Sequence, residues 1–201
     1  MKLYYSPGAC SLAPHIILRE LGLKFDLTNV DLMTKKIETG EDFCQINPRG
    51  LVPVMQFENE DILTEVVAIL QYLADQHPSS GLAPKNATLE RARLQEILNF
   101  LSSDLHKSFS PLFAQSTEEE KQSAIETVET TLSYLNTSLT GRDYLLGDDF
   151  SVADVYLFVI LSWTTPTGIG LDKWSNLTSF FDRIAERSSV KVAMKAEGLV
   201  A

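Results

Sequence analysis

Cysteine is scarce in this chain, with two, Cys10 and Cys44, in 201 residues. That is far too few for a small secreted fold stapled by disulfides, and neither has a metal-ligand neighbour at zinc-finger spacing. Histidine is scarce too: His15, His77 and His106 lie far apart, so no metal site is expected. Positive charge is also in deficit, 17 Lys and Arg against 27 Asp and Glu, for a net charge of -10. A general affinity for phosphate backbones needs a basic face, so no nucleic-acid partner is expected. No run approaches the roughly 18 uninterrupted apolar residues that a membrane span needs. The opening MKLYYSPG lacks the apolar segment and small-residue cleavage site of a secretory signal. The expectation is a cytoplasmic protein, with no membrane partner and with both thiols reduced. What the chain does have is apolar content, 44%, enough to bury one large core or two small ones.

The two halves are patterned differently. Through about Gln76, strand-like and helix-like segments alternate. KLYY reads as a short strand, and SLAPHIILRELG as a helix with Ser11 at its N-cap position and Gly22 at its C-cap. FDLTNVDL reads as a partly buried strand, and Lys35 to Asn47 as a polar, weakly structured stretch. VPVMQF and DILTE read as two strands, and EVVAILQYLADQ as an apolar-faced helix. The order β-α-β-(α)-β-β-α predicts one mixed sheet with helices on its faces. HPSSGLAPKN is a linker by composition, and everything after it reads as helix. Leu94, Ile97, Leu98, Leu101 and Leu105 line one face of the first of these helices. SVADVYLFVILSW opens with a capping box, Ser151 to Asp154, and is then apolar all round, as a buried central helix would be. The predicted domains are an α/β domain over 1–77, a linker over 78–86 and an all-helical domain over 87–201.

Cys10 stands at the junction of the first strand and first helix. Backbone N–H groups and the positive end of the helix dipole favour a thiolate there, whereas most free cysteines are simply small buried hydrophobes. Pro7-Gly8-Ala9 forms a turn that lifts Cys10 to the C-terminal edge of its strand, where open α/β sheets bind ligands. Against a thioredoxin Cys-x-x-Cys pattern, Cys10-Ser11-Leu12-Ala13 keeps the attacking cysteine and lacks the resolving one. A disulfide partner would have to come from outside, and glutathione is the obvious candidate. Cys44 carries no such signals. Glu65-Val66 opens a helix whose N–H groups can hold a carboxylate, while Glu65 can accept from an ammonium; a γ-glutamyl group carries both. Glu65 as a plain helix-dipole carboxylate remains an equal reading. Asn99, Ser103, His106 and Ser110 recur on one helical stripe, poorer in Lys and Glu than an ordinary solvated face and suited to a polar cleft.

The motifs KLYYSPGACSLAPHIILRE, DLMTKKIETGEDF, INPRGLVPV, ILTEVVAILQYLAD, LNFLSSDLHKSFSPLF, GDDFSVADVYLF and RIAERSSV together resemble the bacterial beta-class glutathione S-transferases, from Met1 to about Leu199. The resemblance implies a thioredoxin-like N-terminal domain, a helical C-terminal domain supplying the electrophile pocket, and a homodimer that binds glutathione where the domains meet. It implies that Pro53 is cis, that Cys10 is the class's cysteine, and that His106 and Lys107 approach the sulfur. Glutathione contacts carry over to Lys35, Val52, Glu65, Val66, Asn99, Ser103, Asp104, Leu105 and His106, with Asp104 reaching across from the partner subunit. Ser151 and Asp154 are structural. Val66 departs from the usual serine or glycine, Ser188-Ser189 from a proline-containing turn, and TTPTGIGLDKW from the usual charged or apolar stretch. The expected activity is conjugation of reduced glutathione to apolar electrophiles, a detoxification chemistry, with thiol–disulfide exchange through Cys10 as a variant. Two rival readings are a non-catalytic carrier of glutathione or apolar ligands, and a starvation-type regulator whose helical domain binds proteins. A complete glutathione set argues against the regulator. Phe109, Phe113, Trp163 and Thr165 can wall an acceptor pocket or merely pack.

Overall fold

A computed structural model describes residues 1–200. The chain forms two compact units, residues 1–80 with 186–201, and residues 81–185. In the first, β1 (Lys2–Tyr5), α1 (Leu12–Glu20), β2 (Asp26–Asp31), β3 (Lys36–Ile37), β4 (Val54–Gln56), β5 (Ile62–Thr64) and α2 (Val66–Gln76) follow in order. The five strands form one mixed sheet in the order β3-β2-β1-β4-β5, with β1 and β2 parallel and the other pairs antiparallel. Because side chains alternate across a strand, successive residues of β1 serve opposite faces. Leu3, in register with Met55, and Tyr4, in register with Val54, are all buried. Tyr4 and Val54 join Val30, Ile37, Phe43 and Val52 in one cluster. The sheet is thus covered on both sides, and both ends of the β1–α1 connection are anchored.

The polar stretch after β2 has more structure than its composition suggests. It holds β3 and a short 3-10 turn, Phe43–Gln45, capped by Asp42, which accepts from the Cys44 N–H at 2.9 Å. Helix α1 ends as predicted: Gly22, at φ +64°, lets its N–H reach Arg19 O and the Leu23 N–H reach Leu18 O, the Schellman pattern. Its start is different. Ser11 has helical backbone angles and caps nothing; its hydroxyl accepts from the Ser6 N–H and donates to Ser6 O, pinning the turn before the helix.

In the second unit, α3 (Leu89–Phe100) runs into a π-helical turn, Leu101–His106, and α4 (Ser110–Phe113), α5 (Glu118–Ser138), α6 (Val152–Ser162) and α7 (Ser175–Ala185) follow. Thr88 and Thr117 cap α3 and α5, Thr117 in a capping box with Glu120. Every residue of α6 from Val152 to Leu161 is buried, so its near-continuous apolar run is that of a central helix. The Ser151–Asp154 box is formed, and Asp154 Oδ1 also accepts from the Leu145 N–H at 2.8 Å.

The end of the chain departs from the predicted domain layout. Helix α8 (Ser188–Ala196) packs on α1 and belongs to the sheet-bearing unit. Polar contacts explain its place. Glu20 of α1 takes both Arg187 and the Ser189 hydroxyl, and Glu197, just after α8, accepts from the Gly8 N–H at 3.0 Å. No helix among the described residues is long and apolar enough to cross a membrane.

Candidate functional site

The turn that carries Cys10 is fixed from three directions. Gly8, at φ +71°, makes it possible; a side chain there is strained and its Cβ would lie 3.4 Å from Leu199. Ser11 ties it to Ser6, and Glu197 holds the Gly8 N–H. Glu197 also pairs at 2.8 Å with Nδ1 of His15, and both side chains are fully buried. Arg19 Nε donates to His15 Nε2 at 3.4 Å. The two oxygens of the Glu197 carboxylate thus face the Gly8 N–H and the His15 ring separately.

Cys10 lies two residues before α1, not within its first turn. The thiol donates to the Val52 carbonyl at 3.4 Å, immediately before the cis Val52–Pro53 peptide. Burial is the dominant influence and pushes the thiol up to about 12; the backbone N–H groups of Cys10 and Ser11 pull it down, and the charge of Glu65 adds to the rise. The thiolate expected from the helix dipole is therefore not the resting form: desolvation outweighs the two amides. Cys44 is half-buried and unpaired with Cys10.

Around this turn the first unit gathers several of the expected ligand residues. Val52 precedes Pro53 at the start of β4. Lys35 has a left-handed backbone, φ +58°, and its ammonium donates to Gly50 O at 3.0 Å. Glu65, also left-handed at φ +69° with ψ 121°, is the N-cap residue of α2 but makes no side-chain cap. Such a conformation costs a non-glycine residue about 1–3 kcal/mol and is held only where surroundings dictate it. The Glu65 carboxylate instead pairs with Arg49, both side chains being well exposed. Val66, the first residue of α2, is buried. Nothing in the sequence marks Arg49 as Glu65's partner.

In the second unit, Asn99, Ser103 and Asp104 are exposed, and Ser103 Oγ lies 3.0 Å from Asn99 O and 2.7 Å from Asp104 Oδ2. Leu105 is buried in the core and Lys107 is exposed. His106 is less exposed than the other residues of the predicted stripe, Asn99, Ser103 and Ser110. The π turn wraps more residues per turn than an α-helix, and His106 is half-buried with Nδ1 2.7 Å from the Tyr156 hydroxyl and its ring centroid 4.8 Å from that of Trp163. In the sequence Tyr156 sits within an apolar helix, and its hydroxyl is the one signal there of a polar partner for His106. Of the proposed wall residues, Phe109 and Trp163 are buried, and Phe113 and Thr165 are exposed. Asp154, fully buried, is raised to about 6 by burial against the hydrogen bonds from Leu145 and Ser151. Among the described residues, no group of three or more His, Cys, Asp or Glu could hold a metal ion.

Known proteins match along the whole chain. A model of the glutathione S-transferase N-terminal domain matches residues 8–76, and one of the C-terminal domain matches residues 91–188. Glutathione S-transferase GstA of Escherichia coli O157:H7 is 42% identical over 200 residues, 99% of this chain and 100% of that protein. The bacterial beta-class glutathione S-transferase of Sphingomonas chungbukensis is 51% identical, with a TM-score of 0.97 over 100% of both chains. A sphingomonad glutathione S-transferase solved in complex with glutathione is 49% identical, with a TM-score of 0.95 over 100% of both chains. With both domain models matched in tandem and relatives of this class aligned from end to end, the chain belongs to the glutathione S-transferase family and resembles its bacterial beta class.

Proposed function

We propose that this chain conjugates reduced glutathione to electrophilic, mostly apolar compounds, working as a cytoplasmic homodimer. The observation that carries the reading is the Cys10 turn: a thiol donor at Val52, next to the cis-proline, with the Glu65–Val66 opening of α2 on the same unit. Glutathione brings an ammonium and a carboxylate at one end, a thiol in the middle and a carboxylate at the other end. Glu65 accepts from the ammonium, and N–H groups at the start of α2, Val66 first, take the adjacent carboxylate. The backbone of Val52 pairs with the cysteinyl portion, and Lys35 serves the far carboxylate. From the helical unit the reading assigns Asn99, Ser103, Leu105 and His106 to the ligand, with Asp104 acting from the partner subunit.

The reaction needs the glutathione thiol to lose its proton to solvent and its sulfur to attack carbon, expelling the leaving group. Protein donors stabilise the thiolate and so raise its fraction at neutral pH, and fixed geometry adds to the rate. A protonated Cys10 is suited to being such a donor, because it can turn its S–H from the Val52 carbonyl to the glutathione sulfur. His106 and Lys107 are the further donors. The high Cys10 pKa disfavours Cys10 as the resident nucleophile. Thiol–disulfide exchange remains the secondary chemistry, in which a Cys10 thiolate attacks a glutathione mixed disulfide, forms its own, and releases the other thiol. A pure carrier is not favoured, since the relatives that match end to end are named transferases.

The test is conjugation of glutathione to 1-chloro-2,4-dinitrobenzene by the protein and its Cys10→Ala variant. Turnover that persists at a reduced level in the variant supports Cys10 as a donor. Complete loss makes Cys10 indispensable to the step, and absence of turnover in both sinks the conjugation reading for aryl halides.

A further inference from the structure

Glu65, the carboxylate assigned to the glutathione ammonium, already has a cation on it: the Arg49 guanidinium. Arg49 is held there by a rigid loop. Asn47, itself buried, accepts from the Arg49 N–H with its side-chain oxygen at 3.2 Å and donates its amide to Leu51 O at 2.8 Å. The Gly50 N–H closes the turn on Asn47 O at 2.8 Å, and Lys35 Nζ fastens Gly50 O at 3.0 Å. On the other side, the Glu65 backbone sits in a strained left-handed conformation between β5 and α2, and its carbonyl accepts the Ile69 N–H. Two independently fixed backbones therefore present opposite charges to each other. Yet both side chains are more than half exposed, 61% for Arg49 and 58% for Glu65, so a second cation can reach the carboxylate.

We propose that Arg49 is a specificity-determining residue: by occupying Glu65 it sets how strongly the site distinguishes a ligand bearing an α-ammonium from one without it. This inference rests on the glutathione reading above. An ammonium arriving at Glu65 must share or displace Arg49, so part of its attraction is already offset. A ligand with the same two carboxylates and no ammonium meets a carboxylate whose charge Arg49 has neutralised, and is repelled less than it would be by a bare Glu65. Both effects act in one direction, narrowing the gap between the two ligands. Removing the guanidinium widens it.

The experiment is calorimetric titration of the protein with glutathione and with glutaryl-cysteinylglycine, which lacks only the α-amino group, at low and high salt. For Arg49→Gln the ratio of the two dissociation constants is expected to rise about two- to fivefold at low salt, the span of an exposed ion pair. The rise should shrink in high salt as the charges are screened, and Arg49→Lys should restore most of the wild-type ratio. An unchanged or smaller ratio in Arg49→Gln, with glutathione still bound, overturns the role of Arg49 and leaves the glutathione reading standing. No binding of glutathione by the wild-type protein overturns that reading and this one with it.

Discussion

Cys10 and Asp154 are two acids whose pKa values burial raises, one in each unit, and the protein treats them in opposite ways. Asp154 accepts from the Leu145 N–H, the Ser151 N–H and the Ser151 hydroxyl, and these bonds hold its pKa near 6 despite full burial. Cys10 has one long contact, its own S–H to Val52 O, and its burial outweighs the amides of Cys10 and Ser11, so it rises to about 12. The difference is in how many donors face the charged form. Asp154 is built to be satisfied and stays put. Cys10 is left with a bond it can give up, which is what a group that must meet a ligand requires.

The largest test of that contrast is Cys10's reactivity. A free thiol near pKa 8.5 is partly thiolate at pH 8, whereas a thiol near 12 is not, so alkylation of ligand-free Cys10 should be about a thousandfold slower than that of a model thiol. The rate should keep climbing above pH 9 without a plateau, and a plateau near pH 8 would break the comparison. Next in size is Asp154→Ala. It strands buried donors, each costing about 1–3 kcal/mol, so urea denaturation should show a loss of about 3 kcal/mol or more.

Asp154 also gives a pH signature. Its folded pKa, about 6, lies above the ordinary carboxyl value, so between about pH 4 and pH 6 the folded state binds more protons than the unfolded one. Its contribution to stability therefore falls as pH rises through that window and is flat above it. Asp154→Asn, compared with wild type over pH 4–7 in urea, should lack this downward component. Cys10→Ala, by contrast, removes one weak bond and a sulfur, and should cost only about 1 kcal/mol by the same measurement. The smallest effect is electrostatic. Glu65 raises the Cys10 pKa, so Glu65→Gln should speed Cys10 alkylation a few-fold at pH 8.

Legibility followed distance along the chain. The Ser151–Asp154 box, the α1 stop at Gly22 and the strands other than the two-residue β3 are written in residues one to four apart, and all are visible in the sequence. The π turn that ends at His106 is not, because the leucine spacing through Leu105 fits an α-helix equally well, and the contact of His106 with Tyr156 spans 50 positions. Arg49 and Glu65 lie 16 positions apart and Gly8 and Glu197 lie 189 apart, and no local pattern pairs them. The state of the Cys10 thiol is hidden from the sequence for a related reason. Its distance from a helix start can be read locally, but the desolvation that dominates it comes from the folded surroundings.

Glu197 places an order on the protein's birth. A chain is made from its N-terminal side, so the Cys10 turn leaves the ribosome well before the carboxylate that holds Gly8. The sheet-bearing unit is interrupted by the whole helical one, so residues 81–185 can fold as a unit while the first eighty wait for α8. The thiol turn gains this anchor only once Glu197 has been made, and a nascent chain stopped short of Glu197 carries Cys10 on a turn without it.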